Sequence, residues 1–325
     1  MRFFLHGLRE CAAILLLAAA GLAVAQEFPT KPIRVIIPTA PGGQPDAVSR
    51  ILTEPMTKIL GQPFVVDNIA GSGGVAAIAT AQAAPADGHT IFVADAAHWA
   101  ISQALRPKQA TDFLKIFTPI RQTHQTSIVL VVNNSLNVNN LQELVALIKA
   151  NQGKFNYGSA GIGSVHHLTM EAFKNAFGLE IVHVPYKSSS LALPAIVSGE
   201  LQMMFAGLAS ITPFVKTNRV KVIALANKKR TPLAGNITPV AESGAPDFDF
   251  GSAAAMFVRV GTPPAVIAKL AAAFDKAYAI PEVTARMTAN NIEFVAQSSP
   301  ESTLEMVRAD IPRWAAAAKF AGAAE

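Results

Sequence analysis

Short β-branched runs alternate along this chain with alanine-rich stretches of helical length, and that alternation restricts it to an α/β fold. Ile33 to Ile37, Phe64 to Val66 and Thr90 to Ala94 read as strands, with helices expected over Ala47 to Leu60 and Val75 to Ala84 between them. Strands interleaved with helices favour a mostly parallel sheet flanked by helices. From Ser127 the pattern begins again: strand Ile128 to Val132, helix Leu141 to Ala150, a short strand around Phe155-Asn156-Tyr157 and helix Val165 to Phe177. Strand Ile181 to Val184, helix Leu191 to Ser198 and strands Gln202 to Phe205 and Val220 to Leu225 complete this second unit. A last strand, Ala254 to Val260, and helices Pro264 to Tyr278 and Ser302 to Ala321 need a sheet to rest on. Assigning them to the first unit makes it discontinuous, with hinge crossings near 124–127 and 226–235.

The N-terminus narrows the compartment. Arg2 and Arg9 precede an apolar run from Cys11 to Ala23, and Ala23-Val24-Ala25 then reads as an A-x-A-like cleavage site before Gln26. This is the pattern of a secretory signal peptide over 1–25, cut after Ala25. The run is shorter than the roughly 20 residues that span a bilayer. The only cysteine, Cys11, leaves with the peptide, so neither a disulfide framework nor a thiolate metal site is expected. Removing Arg2, Arg9 and Glu10 takes the basic count from 27 to 25 and the acidic count from 22 to 21, a mature net charge of +4. That excess suits a small anionic ligand and is too scattered for nucleic acid.

Two glycine-rich loops are the candidate binding elements. Pro38 to Asp46 runs from the first strand through Gly42-Gly43 into a helix, with Pro45 suited to a first helical position and Asp46 to the first turn. Gly158 to Ser164 has the same placement in the second unit. Such turns aim free N–H groups, backed by a helix dipole, at one point and make an anion site. Each could also be an ordinary strand-to-helix connection. Two such loops at the carboxyl ends of strands in two lobes would face a common crevice, where Thr39, Ser159 and Ser164 add hydroxyls and one carboxylate could be gripped from both sides. Asp46, which would repel a carboxylate, is expected to hold loop N–H groups or a bridging water.

Enzymatic readings find little support. There is no G-x-S-x-G elbow, and the Gly158 to Ser164 loop lacks the lysine of a phosphate loop. His166 and His167 are neighbours about 100° apart on a helix, unlike the i, i+4 pair of a metal face. No metal or cofactor is expected. A periplasmic hydrolase stays as the minor alternative, and a sensor that shows its closed form to a membrane signalling protein as another.

Lys31-Pro32-Ile33-Arg34 leading into Pro41-Gly42-Gly43 and Asp46, Gly61-Gln62-Pro63, Gly71-Ser72-Gly73-Gly74 and Pro85-Ala86-Asp87-Gly88 are followed by Gly161-Ile162-Gly163-Ser164 with His167-Leu168. His183-Val184-Pro185-Tyr186-Lys187 and Gly261-Thr262-Pro263 come next. In this order the motifs resemble the Bug family, the substrate-binding proteins of tripartite tricarboxylate transporters, over essentially the whole mature chain. The resemblance implies a periplasmic, two-lobed protein of the type II-like periplasmic-binding-protein fold, each lobe a mixed sheet flanked by helices, with the ligand cleft between lobes. The lobes are expected over 26–125 with 231–325, and over 126–230. The ligand would be a small carboxylate, delivered to membrane transporter subunits, with the monomer as the default state. The family pocket is built by the loops matching 38–46 and 158–167, which makes Thr39, Pro41, Gly42, Gly43, Asp46, Ser159, Gly161, Gly163, Ser164 and His167 the expected site. His167 has a structural hydrogen-bonding role as its alternative.

Departures from the family pattern bear on the ligand. Ala195 stands where an acid is usual, Gln202 where a second acid is common, Ala253 where a Trp is familiar and His89 where a Tyr is familiar. Missing acids argue against an amino-acid ammonium and for a plain carboxylate, a di- or tricarboxylate or an aromatic carboxylate being the class expected. His98 and Trp99 follow the third strand at the same crevice edge; the ring could stack on an aromatic acid such as terephthalate, or Trp99 could pack a helix start.

Overall fold

The computed structural model describes residues 27–39, 41, 42, 44–70, 74–105, 112–295 and 297–322. The expected leader with its cut after Ala25, Gly43 and the stretch 71–73 lie outside the described residues.

Among the described residues, eleven strands form two sheets: β1 (Ile33–Ile37), β2 (Phe64–Asn68), β3 (Thr90–Asp95), β4 (Phe117–Thr126), β5 (Ile128–Asn133), β6 (Asn156–Ser159), β7 (Val182–Pro185), β8 (Met203–Gly207), β9 (Val220–Leu225), β10 (Ser252–Arg259) and β11 (Glu293–Phe294). The longer helices are α1 (Gln44–Leu60), α2 (Val75–Ala83), α3 (Leu141–Lys149), α4 (Val165–Phe177), α5 (Ser189–Ser198), α6 (Leu208–Lys216), α7 (Pro264–Tyr278), α8 (Pro281–Ala289) and α9 (Pro300–Phe320). The first sheet runs β11-β4-β10-β3-β1-β2 and the second β7-β6-β8-β5-β9.

The sheets are mixed, and less parallel than the alternation suggests. Among the described strands, four pairings are parallel and five antiparallel. The antiparallel share comes from β4, β5 and β10, the strands next to the passages between sheets. β4 had no sequence signal, because FTPIRQTHQT carries Pro119 and polar side chains in place of an apolar run.

Period-two alternation builds the cores. In β1 and β3, Val35, Ile37, Ile91 and Val93 face a layer made by α1, α7 and α8, where Leu52, Leu270, Phe274 and Met287 are buried. Ile36, Phe92 and Ala94 point the other way, toward Trp99, Phe113, Phe117 and Phe257. In the second sheet Val129, Val131 and Met204 meet α5 and α6 through Ile196 and Ile211. Their alternates Leu130, Met203 and Phe205 join the same core as Phe92. An aromatic chain connects the two halves of that core: Trp314 of α9 touches Phe250 at 5.2 Å, Phe250 touches Phe248 at 4.8 Å, and Phe248 lies 6.2 Å from Phe205. α9 opens on a capping box, in which Ser299 Oγ accepts the Ser302 N–H at 3.0 Å and Ser302 Oγ accepts the Ser299 N–H at 2.8 Å.

The chain passes from the first sheet to the second at Ser127 and returns between Leu225 and Ser252. Asn227 ties the two passages together, its Oδ1 accepting the Ile128 N–H at 3.1 Å. Gly251 is required beside it, since a Cβ there would lie 2.2 Å from Asn227 Nδ2.

Candidate functional site

A cavity of about 760 Å³ lies between the two sheets at these passages. Four helices begin on it: Gln44, Val165, Ser189 and Leu208, the first residues of α1, α4, α5 and α6, all line its wall. Each helix start carries N–H groups without intrahelical partners and the positive end of a dipole. Ser164 and Ser188 cap α4 and α5 by accepting from His167 N and Leu191 N. α6 starts on Gly207, which has no side chain to cap it; Leu208 N donates to Ser127 O at 2.8 Å, and Ala209 and Ser210 follow on the cavity wall. Among the described lining residues there is no lysine or arginine. Positive potential from these described lining residues is therefore left to the backbone N–H groups at the helix starts.

On the first-sheet wall, Asp95, Ala254 and His124 stand in a row across β3, β10 and β4. Asp95 is half-buried, and its Oδ1 contacts His98 Nδ1 at 2.6 Å and accepts the Ala97 N–H at 3.0 Å. Burial works to raise its pKa, but the charge and hydrogen bond of His98, the Ala97 N–H and His124 more than offset it, so the carboxyl titrates below its usual range. Burial depresses His124 to about 4, against a weaker pull from Asp95, and His166 also to about 4. Both imidazoles are neutral at physiological pH. Thr39 Oγ1 and His166 Nδ1 are buried with no hydrogen-bond partner among the described residues, and both residues line the cavity. Gln44 Oε1 accepts from Thr126 Oγ1 at 2.9 Å, so Nε2 is the end of that amide able to donate to a ligand.

Of the residues expected from sequence, Thr39 and Gly42 line this cavity. Pro41 is exposed at the rim of the loop. Asp46 sits behind the loop, its Oδ2 accepting the Gly42 N–H at 2.9 Å and its Oδ1 the Arg50 Nε–H at 3.0 Å. It is thus placed to hold the loop, and burial, which would raise its pKa, is outweighed by Arg50, Gly42 and Asn68.

The second loop is tied up internally. Ser159 is fully buried, with Oγ accepting from Gly161 N at 3.0 Å and lying 2.7 Å from His183 Nε2. Gly163 N donates to His167 Nδ1 at 3.2 Å, and Ser164 N to Gly161 O at 3.1 Å. His167 stacks on His183 at 4.2 Å, away from the cavity wall. The loop presents the cavity with Val165 and His166 instead, because the helix start set by the Ser164 cap turns His166 outward and His167 inward.

Trp99 is a correction. A π-helical turn over Ala97–Ile101 buries it completely, 5.7 Å from Phe257, with Nε1 donating to Asp310 Oδ2 at 3.0 Å. Its ring packs the core and is absent from the cavity wall. His98 is buried beside it and reaches the cavity only through Asp95. Ala195 is buried in the α5 core, and Gln202 Oε1 accepts from Asn156 N at 2.8 Å, so neither position faces the cavity. The acid that does line the cavity is Asp95. Sequence reasoning missed Gln44, Asp95, Ser189 and Ser210; an acid at the carboxyl end of a parallel strand was the signal for Asp95. α6 gave none, because LASITPFVK is short, rich in β-branched residues and contains Pro213.

Residues 48–322 match the family described as "Tripartite tricarboxylate transporter family receptor". The chain is 28% identical to BugT of Bordetella pertussis over 94% of this chain and 95% of that protein. It superposes on the R. palustris protein Rpa4515 with adipate at TM-score 0.78 and 27% identity, over 91% of this chain and 99% of that one. It also superposes on MatC from Rhodopseudomonas palustris with bound malate at TM-score 0.73 and 28% identity, over 89% and 99%.

Proposed function

The chain belongs to the tripartite tricarboxylate transporter receptor family, and on that premise we propose that it is an exported solute-binding protein that captures a small carboxylate in the cavity between its lobes. Binding, without turnover, is the work of such a receptor. The observation that carries the reading is the meeting of four helix starts on one cavity without lysine or arginine among its described lining residues. A carboxylate held there takes backbone N–H donors, foremost Ala209 and Ser210, with Gln44 reaching from the opposite wall. Relatives that carry adipate and malate support this ligand class.

The further steps belong to the same proposal. The chain is cut after Ala25 in the periplasm, the lobes 26–125 with 231–325 and 126–230 close about the passages at Ser127 and Asn227, and the closed form delivers its ligand to membrane subunits of the transporter. The test is a thermal-shift screen of residues 26–325 against di- and tricarboxylates, aromatic carboxylates and amino acids. A ligand at 100 times its dissociation constant adds about 2.7 kcal/mol of stability. A shift with one class, lost when Ala209→Phe fills the cavity, is the expected result; no shift with any carboxylate overturns the reading.

A further inference from the structure

Asp95 is the one formally charged side chain among the described residues lining a cavity that otherwise suits an anion. It is not spent on structure alone. Both of its described hydrogen bonds, from Ala97 N–H and with His98 Nδ1, fall on Oδ1, which leaves Oδ2 as the acceptor available to the cavity; the side chain is 26% exposed. Its place in the sheet is set by register: Asp95 is opposite Ala254, and Ala254 is opposite His124. Asp95 lines the cavity together with Ala253 and Ala254, whose short side chains put no polar group beside the carboxylate. The helix starts of α4, α5 and α6 lie on the second-sheet wall, so a ligand whose carboxylate docks there turns its other end toward Asp95.

We infer that the ligand carries, at the end remote from its carboxylate, a group that donates hydrogen bonds to Asp95, an ammonium or a hydroxyl, and that Asp95 excludes a second carboxylate at that point. This deepens, and rests on, the proposed capture of a carboxylate. A dicarboxylate placed across the cavity would bring two anionic groups together in a half-buried site where the described wall supplies no lysine or arginine. The two cavity histidines are neutral and offer no compensating charge. A donor meets the opposite fate, gaining a charge-assisted hydrogen bond to an acceptor already oriented by His98.

Calorimetric titration of the wild-type protein with spacer-matched sets tests this: succinate against β-alanine, adipate against δ-aminovalerate and δ-hydroxyvalerate, and terephthalate against para-aminobenzoate and para-hydroxybenzoate. In at least one set the amino or hydroxy member binds at least ~10-fold tighter than the dicarboxylate, and Asp95→Asn narrows that gap by a similar factor. The wild-type comparison stands by itself should Asp95→Asn fail to fold. Tighter binding of the dicarboxylate in every set, or a gap that Asp95→Asn leaves unchanged, overturns the role of Asp95 while leaving carboxylate capture in place. Binding of no member of any set overturns this inference, and carboxylate capture falls with it only if the wider carboxylate screen is also negative.

Discussion

Asp310 on α9 is 3% exposed and is held by Trp99 Nε1 and by the Arg313 guanidinium, which also reaches Asp249 Oδ2 at 2.9 Å. Burial pushes its carboxyl up from 3.8 to about 6, Arg313 and Trp99 pull it down, and Asp249 adds to the rise. Because the folded value lies above the unfolded one, the folded state binds the proton more tightly, and stability falls as pH rises through the window from about 4 to about 6. At 1.36 kcal/mol per unit, the shift is worth about 3 kcal/mol in full, and about 2 kcal/mol of it falls between pH 4.5 and 7.5. Asp310→Asn removes the titration and keeps an oxygen to accept from Trp99. Urea unfolding of both proteins at several pH values gives the difference in stability, in which the remaining groups cancel. The difference is expected to move in favour of Asp310→Asn by about 2 kcal/mol from pH 4.5 to 7.5. A flat difference would refute the argument that burial dominates over Arg313 at this helix.

Asp46→Ala removes the acceptor of the Gly42 N–H and of exposed Arg50; it should cost about 2 kcal/mol in urea unfolding and weaken carboxylate binding, and unchanged affinity would take Asp46 out of the site. With His124 and His166 depressed from 6.5 to about 4, both imidazoles stay neutral and carboxylate affinity should be level from about pH 5.5 to 8; a bend near pH 6.5 in a calorimetric series would show an imidazolium in the cavity. Gly163 has φ +76°, and a Cβ there would lie 2.4 Å from Leu105 Cδ1. Gly163→Ala should therefore lose about 1–2 kcal/mol to backbone strain plus the cost of that contact, and Leu105→Ala should return the contact cost alone; full recovery in the double variant would contradict the strain.

What could be read from the chain alone followed local signals. α4 spans Val165–Phe177 as expected because Ser164 caps its start and Gly178, at φ +64°, ends it. α7 opens on Pro264 and ends at Tyr278 for similar reasons. β4 escaped because its buried Thr123 and His124 are satisfied by hydrogen bonds, to Ala254 O and to each other, and leave no hydrophobic signature. At the site, the first loop carried its own signal, while the second did not reveal that its N–H groups are consumed by Ser159 and His167. Which of His166 and His167 faces the cavity depends on helix phase, and adjacent residues differ by about 100°. The choice between the two readings of Trp99, stacking on a ligand or packing a helix start, rested on a partner 211 residues away, Asp310, which no local signal reveals.

The central claim, that a carboxylate docks on the helix starts at the cavity between the sheets, is tested most directly by following backbone amide resonances during a titration with a carboxylate found in the screen. Saturable shifts are expected at Ala209, Ser210, Gln44 and His166, with Ala172 and Ala316, which line a separate pocket, unmoved. Saturation confined to the surroundings of Ala172 and Ala316, with Ala209 and Ser210 silent, would contradict it.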